Sequence, residues 1–171
     1  LGYRSHQTST CGLHVHVNRN CLGESREEQD EVISRILYFV EHHWNELLKF
    51  SRRSEYAMNR WASRYGYENS ARAILDKAKK GCQGRYAAVN LCNYATIEFR
   101  LFRGTLKINT FMATLELVNA IIDVALDYSE EGLHKLSWSE FVSNITEPEL
   151  IAYLKERRLY INDITEIEED M

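Results

Sequence analysis

The stretch CGLHVHVN, from Cys11 to Asn18, alternates apolar and polar residues without interruption. That two-residue period predicts a half-buried strand. Cys11, Leu13, Val15 and Val17 share the face that belongs on a core, and Gly12, His14, His16 and Asn18 share the other. Two imidazoles and an amide, beside a glycine that leaves room for close approach, make the second face a candidate wall of a site. The period returns after Gly84. One strand is expected over 85–91, a turn at Asn93 and Tyr94, and a second strand over 96–102, close enough to form a hairpin. In that second strand Thr96, Glu98 and Arg100 lie on one face, and Ile97, Phe99 and Leu101 on the opposite one.

Elsewhere the spacing is helical. Ser25 with Glu28 reads as a capping box opening a long amphipathic helix with Ile33, Ile36, Leu37, Val40, Trp44, Leu47 and Leu48 on its apolar face. His42 and His43 read as a half-exposed polar pair within it. Ser54 is placed to cap a short helix carrying Tyr56 and Trp61, and 70–80 to form another that Gly81 ends. Thr110 is expected to cap a helix burying Phe111, Leu115, Val118, Ile121, Ile122 and Ala125. Capping boxes are also expected at Ser137–Glu140 and at Thr146–Glu149, with Pro148 in the first turn. Residues 163–171 read as an acidic tail.

The 171 residues suit a single domain over 1–171, and 44% hydrophobic with 27% charged residues is ordinary for a globular chain. A net charge of −4 gives no sign of bulk nucleic-acid binding. No apolar run is expected to approach the roughly 20 residues of a membrane span, so neither nucleic acid nor membrane is an expected partner. Cys11, Cys21, Cys82 and Cys92 form no Cys-x-x-Cys pair and are expected to be buried free thiols in a reducing, cytoplasmic setting. The start at Leu1, ten residues before a strand, suggests a piece of a longer protein.

If the two polar strand faces are neighbours, His14, His16 and Asn18 face Glu98 and Arg100, with Arg85 from the strand beside them. Carboxylate and imidazole can hold a divalent cation and arginines can neutralise phosphate oxygens, which is the equipment of a metal–nucleotide site. A cross-strand ion pair is the competing reading for Glu98 and Arg100. Arg52 and Arg53 form a second cationic pair suited to a phosphate or carboxylate, or to plain solvation at a helix junction.

The strand at 10–18 resembles the Gly-Leu-His-Val-His strand of the amidoligase family. Phe50-Ser51-Arg52-Arg53 with Tyr56 is similar to that family's middle segment. Gly84-Arg85-Tyr86, Val89-Asn90-Leu91 and 96–102, followed by Gly104-Thr105-Leu106, resemble its closing hairpin. These blocks stand in the family's order. The resemblance implies the α+β fold shared with glutamine synthetase and glutamate–cysteine ligase, an antiparallel sheet with helices packed on one side. It implies their chemistry too: ATP phosphorylates a carboxylate, an amine attacks the acyl phosphate, and magnesium bridges nucleotide and protein. By position, His14 and Glu98 match metal ligands, and His16, Asn18 and Arg85 nucleotide contacts. Arg85 and Arg100 match the arginines that stabilise the transferring phosphoryl group. Asn90 stands where glutamine synthetases carry a further arginine.

The superfamily also places a Glu-x-Glu strand near its N-terminus, and residues 1–171 contain none; Glu166-Ile167-Glu168 has the spacing in the wrong place. The expectation is therefore the C-terminal portion of an ATP- and Mg2+-dependent ligase, weak or inactive alone, whose partners are carboxylate and amine substrates and the missing N-terminal portion. The alternatives are a non-catalytic binding or assembly module that keeps the ligase fold, and a metal-dependent hydrolase using His14, His16 and Glu98.

Overall fold

The computed structural model describes residues 11–81 and 84–160. Three strands form one antiparallel sheet: β1 (Gly12–Asn18), β2 (Val89–Asn90) and β3 (Thr96–Arg103), in the spatial order β1-β3-β2. Eight helices complete the described chain: α1 (Arg26–His42), α2 (Trp44–Ser51), α3 (Glu55–Trp61), α4 (Ala71–Lys79), α5 (Ile108–Asp127), α6 (Glu130–Lys135), α7 (Trp138–Ser143) and α8 (Pro148–Glu156). The class is α+β. The inner side chains of β3 are Ile97, Phe99, Leu101 and Phe102. They join Ile33, Leu37, Leu47, Phe50, Leu117 and Ile121 of α1, α2 and α5 in one hydrophobic core.

Alternation in β1 is as expected, with Val17 buried, Leu13 and Val15 half-buried, and Gly12, His14, His16 and Asn18 exposed. In β3 it breaks. His16 pairs with Glu98 and Val15 with Phe99, whereas Leu13 pairs with Phe102 and Gly12 with Arg103. His14 therefore stands opposite two residues, Arg100 and Leu101, and β3 carries a bulge. The extra residue lets Leu101 and Phe102 both enter the core and brings Arg103 level with Gly12.

The strand expected over 85–91 shrinks to β2. The amide of Ser63 donates to the Tyr86 carbonyl, and that of Ala88 to the Ser63 carbonyl, so this backbone pairs with Ser63 until the Ala88 carbonyl, which accepts the Arg100 amide of β3, and Gly84–Tyr86 form a 3₁₀ turn. The helix expected to run through Trp44 breaks at His43. His42 is exposed, but His43 is only 4% exposed, so the two are not an equivalent half-exposed pair. Cys11, Cys21 and Cys92 are free but exposed, contrary to the buried thiols expected there, and Cys82 lies outside the described residues.

Capping follows the sequence closely. Both boxes at Ser25–Glu28 and Ser137–Glu140 form, and Ser54 and Ser70 cap α3 and α4. α5 starts earlier than expected, with Lys107 as its cap and Thr110 buried inside it; Phe111 is 37% exposed. The third box does not form. Glu147 is the cap residue of α8 without a side-chain cap bond, and the Leu150 amide donates instead to Glu116 of α5 at 2.8 Å. α5 is long and apolar enough to cross a membrane by length and composition, with mean hydropathy 1.3 over 18 residues, which amends the expectation of no such run. Its buried residues, Leu117, Val118, Ile121 and Ile122 among them, belong to the core. The acidic tail at 163–171 lies outside the described residues.

Candidate active site

Glu98 is the centre of the polar sheet face. It lies mid-strand on β3 with β1 on one side and β2 on the other, so neighbouring backbones and side chains leave it only 5% exposed. A buried carboxylate is stable only when its oxygens are hydrogen-bonded and its charge is matched. Asn90 Nδ2, directly across on β2, donates to Oε2 at 2.7 Å. Arg100 Nη1 donates to Oε1 at 2.8 Å. His14 Nδ1 lies 2.9 Å from the same oxygen, and His16 Nε2 at 3.7 Å. Burial, the largest single influence, pushes the Glu98 carboxyl up, but Asn90, Arg100 and the two histidines together outweigh it and hold the group below the usual range. Glu98 is ionised at neutral pH.

His14 is neutral there. Burial pushes its pKa down, and the Arg100 charge adds to that; Glu98 opposes them without prevailing. A neutral ring donates from Nδ1 to Glu98 and keeps its lone pair on Nε2, above Gly12. The tautomer is thus set by the carboxylate, the usual way a protein orients an imidazole for later use. With Nδ1 protonated, the Arg100 contact to that nitrogen at 3.5 Å is a neighbour rather than a bond.

The sequence-derived site residues distribute as follows. His14, His16, Glu98 and Arg100 converge. Asn18 pairs with Thr96 at the far end of the strands, and its side chain accepts the Asn20 amide at 3.0 Å, capping the turn that follows. Arg85 is not on a strand; it is exposed at the rim, donating to the Tyr86 hydroxyl at 2.9 Å. Arg100 also lies over the Tyr86 ring, 5.7 Å from its centroid, so the tyrosine links the two arginines. Its hydrogen bond to Arg85 brings the Tyr86 phenol below its ordinary range.

Asn90 and Arg53 were not placed on this wall by their spacing, whereas Thr96 was, by its alternation with Glu98 and Arg100. Asn90 binds Glu98, and its Oδ1 accepts the Cys92 amide at 2.9 Å; the signal in the sequence was its position in the hairpin that resembles the amidoligase family's. Thr96 Oγ1 lies 3.1 Å from His16 Nδ1 and fixes that ring. Arg53 arrives from the end of α2, donating to the Phe102 carbonyl at 3.0 Å. A Cβ on Gly12 would collide with its guanidinium, so the glycine exists here for a close approach of Arg53 to the strand.

Whether a divalent cation suits these residues can be read from distances. Two adjacent ligands of an octahedral Mg2+ with bonds of about 2.1 Å stand about 3.0 Å apart. His14 Nδ1 and Glu98 Oε1, at 2.9 Å, have that separation. Arg100 Nη1 occupies the notch between them, a guanidinium charge where a cation would bind. The pair fits a metal that displaces both Arg100 and the Nδ1 proton. Among the described residues no group of three or more His, Cys, Asp or Glu donors is assembled for a metal ion. No family model matches the chain, and neither a curated protein nor a solved structure does.

Proposed function

We propose that this chain carries part of the active site of an ATP- and Mg2+-dependent ligase that joins a carboxylate to an amine through an acyl phosphate. The observation that carries the reading is the meeting of His14 and Glu98 across neighbouring strands at 2.9 Å, inside a ring of Asn90, Arg100 and His16. The amidoligase-like motifs at 10–18, 50–56 and 84–106 supply the reaction class, together with the glutamine synthetase-like architecture that the finer reading of the fold requires.

In this reading Glu98 and His14 hold the magnesium, which supplies charge neutralisation at the phosphates. Arg100, displaced from the notch, and Arg85 at the rim stabilise negative charge spreading over the phosphoryl oxygens. Ordered guanidinium groups suit this because such transfers depend on positioned charge more than on covalent help from the protein. His16, held by Thr96, and Asn18 line the side of the sheet assigned to the nucleotide. Further oxygen ligands are needed beyond Glu98, and the resemblance looks for them on a Glu-x-Glu strand preceding these residues.

The test is carboxylate- and amine-dependent release of ADP by the polypeptide that contains this chain. Turnover with amide product is expected, and Glu98→Gln, which keeps the shape and removes the charge, should abolish it. ADP release that ignores both co-substrates, or amide formation undiminished in Glu98→Gln, overturns the ligase reading. Binding of Mg-nucleotide without turnover in the intact polypeptide would favour the binding module.

A further inference from the structure

A cavity of about 650 Å3 opens beside the Gly12 end of the wall. That volume lies in the range of small-molecule sites. Lys49, Arg52, Arg53, Arg103 and Arg157 line it together with Cys11, and none of its described lining residues is an aspartate or glutamate. The cations come from different elements: Lys49 from α2, Arg52 and Arg53 from the turn after it, Arg103 from β3 and Arg157 from the end of α8. No one helix terminus accounts for them.

At Lys49, Arg53 and Arg157 the polar contacts leave the charge unmatched. Arg157 donates to the Lys49 carbonyl from Nε and Nη2, at 3.1 and 2.8 Å, and Lys49 Nζ to the Arg158 carbonyl at 3.1 Å. Arg53 donates to the Phe102 carbonyl. These neutral acceptors orient the cations without cancelling them. Among the described residues, ion pairs form at Arg35, Arg64, Arg72 and Arg100 but not at Lys49, Arg52, Arg53 or Arg157. The Nε atoms of Arg52 and Arg53 are buried without a hydrogen-bond partner. Arg52 is moreover held at φ 59°, a left-handed conformation that costs a residue with a Cβ. Unsatisfied donors, concentrated like charge and backbone strain converge on one concavity, the pattern of a site that a ligand completes.

The sheet fixes where this cavity stands. At about 3.3 Å per residue, Gly12 lies about 7 Å from His14 and about 20 Å from Asn18. The cavity and the His16–Asn18 side are therefore opposite ends of one wall, with His14, Glu98 and Arg100 between them. Building on the ligase reading, we propose that the cavity binds the acidic substrate, a small molecule with at least two carboxylates. One carboxylate is held at the Arg53–Gly12 edge facing the centre, and the others by Arg52, Lys49 and Arg157. Guanidinium forks suit this ligand because each matches a carboxylate bidentately.

The test is calorimetric titration of the chain, without nucleotide or metal, with propane-1,2,3-tricarboxylate and separately with inorganic tripolyphosphate. Single-site binding, tighter for the tricarboxylate, is expected. Lys49→Gln and Arg52→Gln should each weaken it about tenfold, the loss of one charged hydrogen bond. Arg60→Gln, an exposed arginine outside the cavity, should leave it unchanged. In the unaltered chain saturating tricarboxylate should slow alkylation of Cys11 by iodoacetamide but not of Cys21 or Cys92, which needs no variant to fold.

Absence of tricarboxylate binding, tighter binding of tripolyphosphate, equal affinity in the variants, or an unprotected Cys11 each overturns the assignment. Because no nucleotide is present, the two readings separate. Tricarboxylate binding in a polypeptide that makes no amide retires the ligase and keeps the cavity; amide synthesis without tricarboxylate binding does the reverse.

Discussion

Acid should destabilise this protein through His43 before its carboxylates titrate. The ring is buried between Phe39 and Trp138, its Nε2 has no partner, and burial together with the nearby His42 lowers its pKa to about 4; a hydrogen bond to the Leu136 backbone opposes this only in part. In the unfolded chain the same group titrates at its ordinary 6.5. A folded pKa below the unfolded one means that the neutral ring's contribution is complete above pH 6.5 and is lost as pH falls toward 4. Linkage gives a loss of about 2 kcal/mol between about pH 7.5 and about pH 5, and about 3 kcal/mol by about pH 4. That is a large fraction of the roughly 5–15 kcal/mol that holds a domain together.

Urea unfolding followed by circular dichroism across this range measures it, with His43→Leu as the reference. His14, also lowered, contributes in the same window, but equally in both proteins, so the difference isolates His43. The wild type should lose about 2 kcal/mol more than the variant on going from about pH 7.5 to about pH 5. Parallel losses would show that the ring takes up its proton as readily in the folded chain as in the unfolded one, and the reasoning from its burial would be refuted.

Two further outcomes follow from the cationic end of the wall. Gly12→Ala should fold, because the group it strikes is the far end of a flexible side chain, but Arg53 must leave the Phe102 carbonyl; a stability loss of about 1.5 kcal/mol by urea titration is expected, and no loss would mean that this bond is not made. Arg52→Gly should unfold at higher temperature than Arg52→Ala, by about 1 kcal/mol in stability, since only glycine relieves the left-handed backbone; the reverse order in a melting experiment would count against strain at φ 59°.

How much was readable from residues alone depended on how local the cause was. β1 was legible because its period is set by residues within the strand, and the serine caps because each acts within three residues. The meeting of His14, Glu98 and Arg100 was readable as a consequence of two strands whose polar faces share a side. What escaped depended on distant partners. Ser63 claims the backbone around Tyr86 and Ala88, so the strand expected there is cut to two residues and Arg85 moves to the rim. Glu116, 34 positions away, accepts the Leu150 amide at the start of α8, where local spacing had expected a Thr146–Glu149 box to do the capping. Arg52 and Arg53 were visible as a pair, but the contribution of Lys49, Arg103 and Arg157 depends on how α2, β3 and α8 meet in space.

The bulge opposite His14 gives β3 two phases of side-chain orientation. Before it, even-numbered residues point to the wall; beyond it, Arg103 does. Closing the bulge with no residue removed would instead pair Leu101 with Leu13 and Phe102 with Gly12, turning Phe102 out to the wall and Arg103 inward. The phase between the carboxylate centre and the cationic recess is thus set by one unpaired position: the strand can lose a residue there and keep both on the wall, whereas a slip of register beyond that point would uncouple them.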